Sequence, residues 1–129
     1  MKICLTSNGN SSDNIMDPRF GRAKYFAIAN NETMKFEIIE NSAAASGGGA
    51  GITSAQLMVD RGITVVITGN VGPNAMKVLK AAGIDIYKGT AVSVKKNLEN
   101  FNKGVLDKID NTVPEHFGMQ GGEKWKLQF

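Results

Sequence analysis

The sequence predicts an α/β fold of one domain, a mixed five-stranded sheet in the order β-β-β-α-β-α-β-α with helices on both faces. Three observations predict it. Residues 63–68 form a continuous apolar, β-branched run of the kind found in a strand covered on both sides. Helix-start signals, Pro73 and Ser93, each follow a strand-like run after a short turn-forming stretch. The chain has 129 residues, the length of a single domain that can bury an ordinary core without staples.

Each element has its own justification. Residues 2–7 favour a strand and end in Asn8, Gly9, Asn10, Ser11, Ser12 and Asp13, a dense cluster of turn formers. Residues 25–29 and 36–40 have strand chemistry again, and the Asn30, Asn31, Glu32, Thr33 link suits a hairpin somewhat longer than the minimal one. A glycine-rich stretch from 46 to 51 introduces a helix in which Ile52, Ala55 and Val59 recur at helical spacing, with Met58 beside them and Gly62 as a stop. After the run over 63–68, Gly69, Asn70, Val71 and Gly72 lead to Pro73 at the first position of a second helix. Ala75, Met76, Leu79 and Ala82 mark its inner face, and Gly83 closes it. Residues 84–87 give the fifth strand, and Ser93 caps a third helix with Val94, Leu98 and Phe101 inward and Gly104 at its end. The domain is expected to span 1–104, followed by a C-terminal tail, docked or flexible, over 105–129. Trp125, Leu127 and Phe129 alternate there with Lys124, Lys126 and Gln128 at the period of an edge strand.

Composition closes several function classes. One cysteine and one histidine cannot build a Cys₄ or Cys₂His₂ zinc site, a CxxC redox pair or a disulfide framework. A net charge of +3 with interspersed acids gives a nucleic-acid partner little support. No apolar run approaches the ~20 residues of a bilayer crossing, and the first residues lack the apolar length of a secretory signal. The expectation is a cytoplasmic protein with no membrane partner. Fifteen glycines exceed the usual share of about 7% and cluster in predicted loops.

Element order places those loops. With strand one running up, strand two runs down and strand three up, and a crossover through the first helix makes strand four parallel to strand one. Residues 8–13, 46–51 and 69–72 then leave one edge of the sheet, where ligands of open α/β sheets bind. The segment from Asp17 to Arg22 arrives there too and brings Arg19 and Arg22. Helix N-termini supply amide donors and partial positive charge, so the expected crevice suits an anion. Its candidate cofactor-binding residues are Asn8, Arg19, Arg22, Gly48, Gly49, Ala50, Gly51, Asn70, Val71 and Gly72. Taken singly, the glycines read as packing or turn residues and the arginines as solvated charges; their convergence is what points to a site. Cys4, mid-strand among apolar neighbours, reads as a buried small hydrophobe, as Met58 and Met76 read as core, leaving Met16 and Met119 as outer contacts. His116 is the candidate metal ligand.

Enzyme templates fit poorly. The 46–53 stretch lacks the Gly-Lys-Ser/Thr ending of a P-loop, and its glycines do not satisfy GxGxxG. The expected sheet order resembles that of ribonuclease H, whose chemistry needs carboxylates holding two metals, yet strand one offers Cys4, Thr6 and Ser7 where an acid should stand. No nucleophile, base and orienter can be drawn with the sole histidine, and the reading is of a protein that is not an enzyme.

The chain resembles the dinitrogenase iron-molybdenum cofactor biosynthesis family, the nitrogenase accessory factor-like proteins with their stand-alone cofactor-carrier relatives. The resemblance rests on Asp17-Pro18-Arg19-Phe20-Gly21-Arg22-Ala23 with Tyr25-Phe26, on Gly47-Gly48-Gly49-Ala50-Gly51-Ile52 before Ala55-Gln56-Leu57, and on Ile67-Thr68-Gly69-Asn70-Val71-Gly72-Pro73-Asn74-Ala75 followed by Ala82-Gly83-Ile84. The His116-Phe117-Gly118 tail resembles stand-alone members. The resemblance implies a ribonuclease H-like fold and the binding or carriage of a metal–sulfur cluster of iron-molybdenum precursor, iron-sulfide or molybdenum-copper-sulfide type. Metallocluster donor or acceptor proteins are the implied partners. Carriers that use a cysteine thiolate differ from this chain, which has none at the crevice. An anionic cluster that brings its own sulfides needs amide donors, guanidinium charge and one imidazole. The alternative is a protein-interaction or regulatory module, without a metal cofactor, whose tail pairs with a partner or with a second copy as a homodimer.

Overall fold

The computed structural model describes residues 1–45 and 49–109. Its strands are β1 (Lys2–Ser7), β2 (Tyr25–Asn30), β3 (Lys35–Glu40), β4 (Val65–Thr68), β5 (Asp85–Lys88) and β6 (Asp107–Lys108), joined in one sheet of order β3-β2-β1-β4-β5-β6. The helices are α1 (Ala50–Asp60), α2 (Pro73–Ala81) and α3 (Val94–Asn102), and a 3-10 turn over Ser42–Ala45 follows β3. β1, β4 and β5 run parallel, while β2, β3 and β6 pair antiparallel to their neighbours. This is the α/β domain that the sequence predicts, with one strand more.

Side-chain alternation along the strands divides the core into two layers. Cys4, Phe26, Ile28, Val66 and Ile86 face Ala55, Met58, Ala75, Met76 and Leu79 of α1 and α2. Ile3, Leu5, Ala27, Ala29, Val65 and Ile67 face Val94 and Leu98 of α3. The handedness rule explains why two helices share a face. Both crossovers, β3 to β4 through α1 and β4 to β5 through α2, move in the same direction along the sheet, so right-handed turns put both on one side. α3 leads to an antiparallel strand, where the rule does not apply, and covers the other side.

Local chemistry sets the helix ends much as expected. Gly62, Gly83 and Gly104 adopt positive φ just past the three helices, the conformation glycine reaches without Cβ strain. The Ser93 hydroxyl accepts from the Lys96 N–H at 3.0 Å, and Pro73 opens α2. Four expectations need correction. β6 is a sixth strand, missed because Asp107 and Lys108 carry no period-two apolar signal; pairing with Tyr87 and Lys88 creates it. Ile63 precedes the fourth strand, donating its N–H to Met58 O while its side chain enters the core. In α1 the buried side chains are Ala50, Ser54, Ala55 and Met58, which leaves Ile52 exposed and Val59 at the margin. Ala82 stands past the end of α2 and is exposed. Residues 110–129, with His116, Met119 and the Trp125 alternation, lie outside the described residues.

Candidate functional site

The carboxyl ends of β1 and β4 carry two threonines, Thr6 and Thr68, both fully buried. Thr6 Oγ1 donates to the Asp17 carbonyl, so its one proton is committed, and the Thr68 hydroxyl is the donor across the 2.8 Å that separates them. The Asp17 N–H returns a bond to Thr6 O at 3.1 Å. A turn is thereby fixed on top of the sheet centre. The Asp17 carboxylate is 1% exposed and accepts from the Arg19 backbone N–H at 2.9 Å, from Nε at 3.1 Å and from Nη2 at 3.1 Å. Hydrogen bonding to Asp17, and then its charge, push the Arg19 guanidinium further up from an already high value. That guanidinium stays 60% exposed.

The same turn is tied to the loop after β4. Asn70 N–H donates to Pro18 O at 2.6 Å, and Phe20 N–H to Asn70 O at 3.2 Å. Glycine is required at two crossings. A Cβ on Gly69 would come within 2.8 Å of the Pro18 backbone, and one on Gly21 within 2.8 Å of Gly51 Cα, contacts that only a residue without a side chain avoids. Asn41, which the sequence reading overlooked, completes the tie. Its Nδ2 donates to Ala23 O at 2.8 Å and Gly21 O at 3.3 Å, and its Oδ1 accepts from Ala43 N–H at 3.2 Å.

Gly49, Gly51 and Gly72 therefore meet in space with Phe20 and Gly21, lining a pocket of about 210 Å³ with Pro73, Asn74 and Ala75. Two helices open onto it. The N-cap residues are Gly49 for α1 and Gly72 for α2; neither helix has a side-chain cap, and neither has an acid in its first turn. A Cβ on Gly51 would lie 3.4 Å from Ala75 Cβ, so the helices approach closely just where their amide ends converge. Each end presents first-turn N–H groups and roughly half a positive charge.

The predicted crevice resolves into two hollows and a separate loop. Arg19 and Arg22 flank the Phe20–Gly21 turn and line a second hollow of about 590 Å³ with Lys24, Tyr25, Glu40 and Asn41. Asn8 lines neither. Its N–H bonds Ile15 O, and its loop is held against the start of α3 by Val94 N–H to Asn14 O and Lys95 N–H to Ser12 O. Ala50 is buried in α1, and Val71 puts its side chain into the α1/α2 core. The Asn70 amide, expected to face a ligand, is spent on Pro18 O. Met16 is no outer contact: it is 3% exposed, within the α3-side core. Gly48 and His116 lie outside the described residues. Cys4 is fully buried, and desolvation pushes its thiol far above the ordinary range, as expected for a structural cysteine.

The donor set decides which guest suits the small pocket. Among the described residues no three of His, Cys, Asp and Glu converge. Two amide ends with no acid in their first turns suit an anion.

The model of the dinitrogenase iron-molybdenum cofactor family matches residues 1–104. An uncharacterised protein of Methanocaldococcus jannaschii is 38% identical over 113 residues, 85% of this chain and 92% of its own length. Among solved structures, the apo form of the orange protein from Desulfovibrio gigas superposes with a TM-score of 0.83 at 33% identity, covering 88% of this chain and 96% of that one. A Thermotoga protein carrying a provisional NifB designation gives 0.78 at 31% identity, over 89% and 98%.

Proposed function

Because this chain belongs to the dinitrogenase iron-molybdenum cofactor family, we propose that it binds and carries an anionic metal–sulfur cluster, without turnover, in the pocket between the N-terminal ends of α1 and α2. One observation carries the reading: two helix ends, both lacking a side-chain cap and first-turn acids, converge on one small hollow beside Gly49, Gly51 and Gly72. The cluster brings its metal–sulfide bonds with it, and the protein acts as an outer sphere. First-turn amides of both helices donate to the sulfides, while Arg19 and Arg22, beyond the Phe20–Gly21 wall, lower the energy of the bound anion. Asp17 orients Arg19 for this task. Gly48 and His116 remain proposed contributors, the first to the amide set and the second as a single imidazole ligand. The similarity to the apo form of the orange protein supports a guest that comes and goes. Iron, molybdenum and copper are the candidate metals, metallocluster proteins the candidate partners, and the cytoplasm the proposed compartment.

Anaerobic reconstitution tests this. The protein is mixed in turn with tetrathiomolybdate, thiomolybdate plus copper(I), and iron plus sulfide, then desalted. Co-elution of metal with protein and a charge-transfer absorption that differs from that of the free anion are expected with at least one mixture. No retained metal with any of them overturns the proposal.

A further inference from the structure

The outer edge of the sheet opposite β6 is a full-length strand with a cationic hollow at its end. β3 contributes six residues and, among the described residues, pairs on one side only, with β2. The parity of that ladder follows from one bond. Asn41 N–H donates to Lys24 O at 2.9 Å, so in the register that pairs Glu40 with Tyr25, residues 35, 37 and 39 bond inward. The backbone N–H and C=O groups of Phe36, Ile38 and Glu40 consequently point away from the sheet. The side chains of Phe36 and Ile38 are half-buried against the α3-side core and offer apolar contact on one face of any added strand. At the top of β3, Glu40 and Asn41 border the 590 Å³ hollow with Arg19, Arg22 and Lys24. Arg19 is satisfied by Asp17, whereas Arg22 and Lys24 make no ion pair with any described residue.

From this we infer that β3 is a docking edge for an extended acidic segment of a partner protein, added as a seventh, antiparallel strand with its carboxylates in the Arg22–Lys24 hollow. Main-chain bonds to Phe36, Ile38 and Glu40 hold the segment, and the cations select its charge and its direction. A second copy of this chain is a poor occupant. Two-fold antiparallel pairing puts opposed residues on one face, so a register using five residues of β3 centres on Glu37 or on Ile38. The first sets two Glu37 carboxylates against each other, and the second sets Phe36 against Glu40. The inference shares Arg22 with the proposed function but uses neither the helix-end pocket nor its cargo, and peptide binding to the metal-free chain is read without either, so it stands or falls separately from carriage.

The probe is an acetylated, amidated peptide, three aspartates followed by alternating threonine and valine, compared with the same peptide carrying three lysines. Binding to the full chain is read by fluorescence anisotropy at 50 mM and 500 mM salt, and by amide hydrogen exchange. The acidic peptide is expected to bind at least tenfold more tightly than the basic one, to weaken at high salt, and to slow exchange at Phe36, Ile38 and Glu40 selectively. Arg22→Glu with Lys24→Glu abolishes the preference. Ile38→Pro removes one outward donor without touching the ladder to β2 and weakens binding at least tenfold; if it fails to fold, the charge-reversal variant and the exchange pattern still decide. Equal binding of both peptides, or protection elsewhere than β3, overturns the inference. So does protection of the three amides in the free protein: if it rises with concentration a second copy holds the edge, and if it is constant the chain's own residues do.

Discussion

Asn74 is the second residue of α2 and lines the helix-end pocket, so Asn74→Asp places a carboxylate where the proposed cargo sits. Two effects of opposite sign follow from one charge. The new carboxylate interacts favourably with the helix N-terminus, by about 0.3–1 kcal/mol at an exposed position, which raises the melting temperature by roughly 1–4 °C for a domain of this size. It also repels an incoming anion. At about 6 Å and an effective dielectric of about 40–80, each unit of cargo charge costs roughly 0.7–1.4 kcal/mol, so a dianion such as tetrathiomolybdate binds about ten- to a hundredfold more weakly. Asn74→Ala, which adds no charge, serves as the reference. The pair of assays is thermal melting of the metal-free protein and anaerobic titration followed by the charge-transfer band. A variant that melts higher and binds as tightly as the reference shows that the cargo lies elsewhere. One that melts lower shows that the first-turn amides of α2 are already engaged, which refutes the reasoning at its base.

Further outcomes are expected from the groups under the pocket. Thr6→Val leaves both the Asp17 carbonyl and the Thr68 hydroxyl without their buried partner and costs about 1–3 kcal/mol in urea unfolding, whereas Thr68→Val leaves the bond to Asp17 and costs about 0.5–1.5 kcal/mol. Gly21→Ala presses a methyl against the Gly51 backbone, destabilises by about 1–3 kcal/mol, and reduces metal retention at temperatures where the variant is still folded. Cys4, buried with its thiol held protonated, resists iodoacetamide in the native state and reacts only with added denaturant, as mass spectrometry would show; Cys4→Ala keeps its cluster uptake. Rapid native alkylation, or lost uptake with the fold intact, contradicts a purely structural cysteine.

The fold was legible because its signals are local. A β-branched run, a proline opening α2, the Ser93 cap and three terminating glycines each specify an element by its own chemistry, and element order with right-handed crossover puts the loops at one edge. β6 was not legible, since Asp107 and Lys108 acquire strand character from β5. The site was legible in its parts and not in its partition. Arg19, Arg22, Gly49, Gly51 and Gly72 share an edge as expected, but nothing local says that the Phe20–Gly21 turn stands between the arginines and the helix ends. Asn8 looked like a neighbour by strand order, while backbone bonds from Val94 and Lys95 draw its loop to α3. Asn41 and the Thr6–Thr68 pair carry no pattern at all, because their importance is a matter of which carbonyls they reach across the chain.

The two backbone bonds between Pro18–Phe20 and Asn70 join stretches about fifty positions apart by main chain alone, so the rim they form is assembled as the polypeptide folds. The conformational entropy of bringing the turns together is therefore lost before any guest arrives. The proposed guest would then need no ordering of these two stretches, and a comparison of guests would read their own charge and shape undiluted by disorder there.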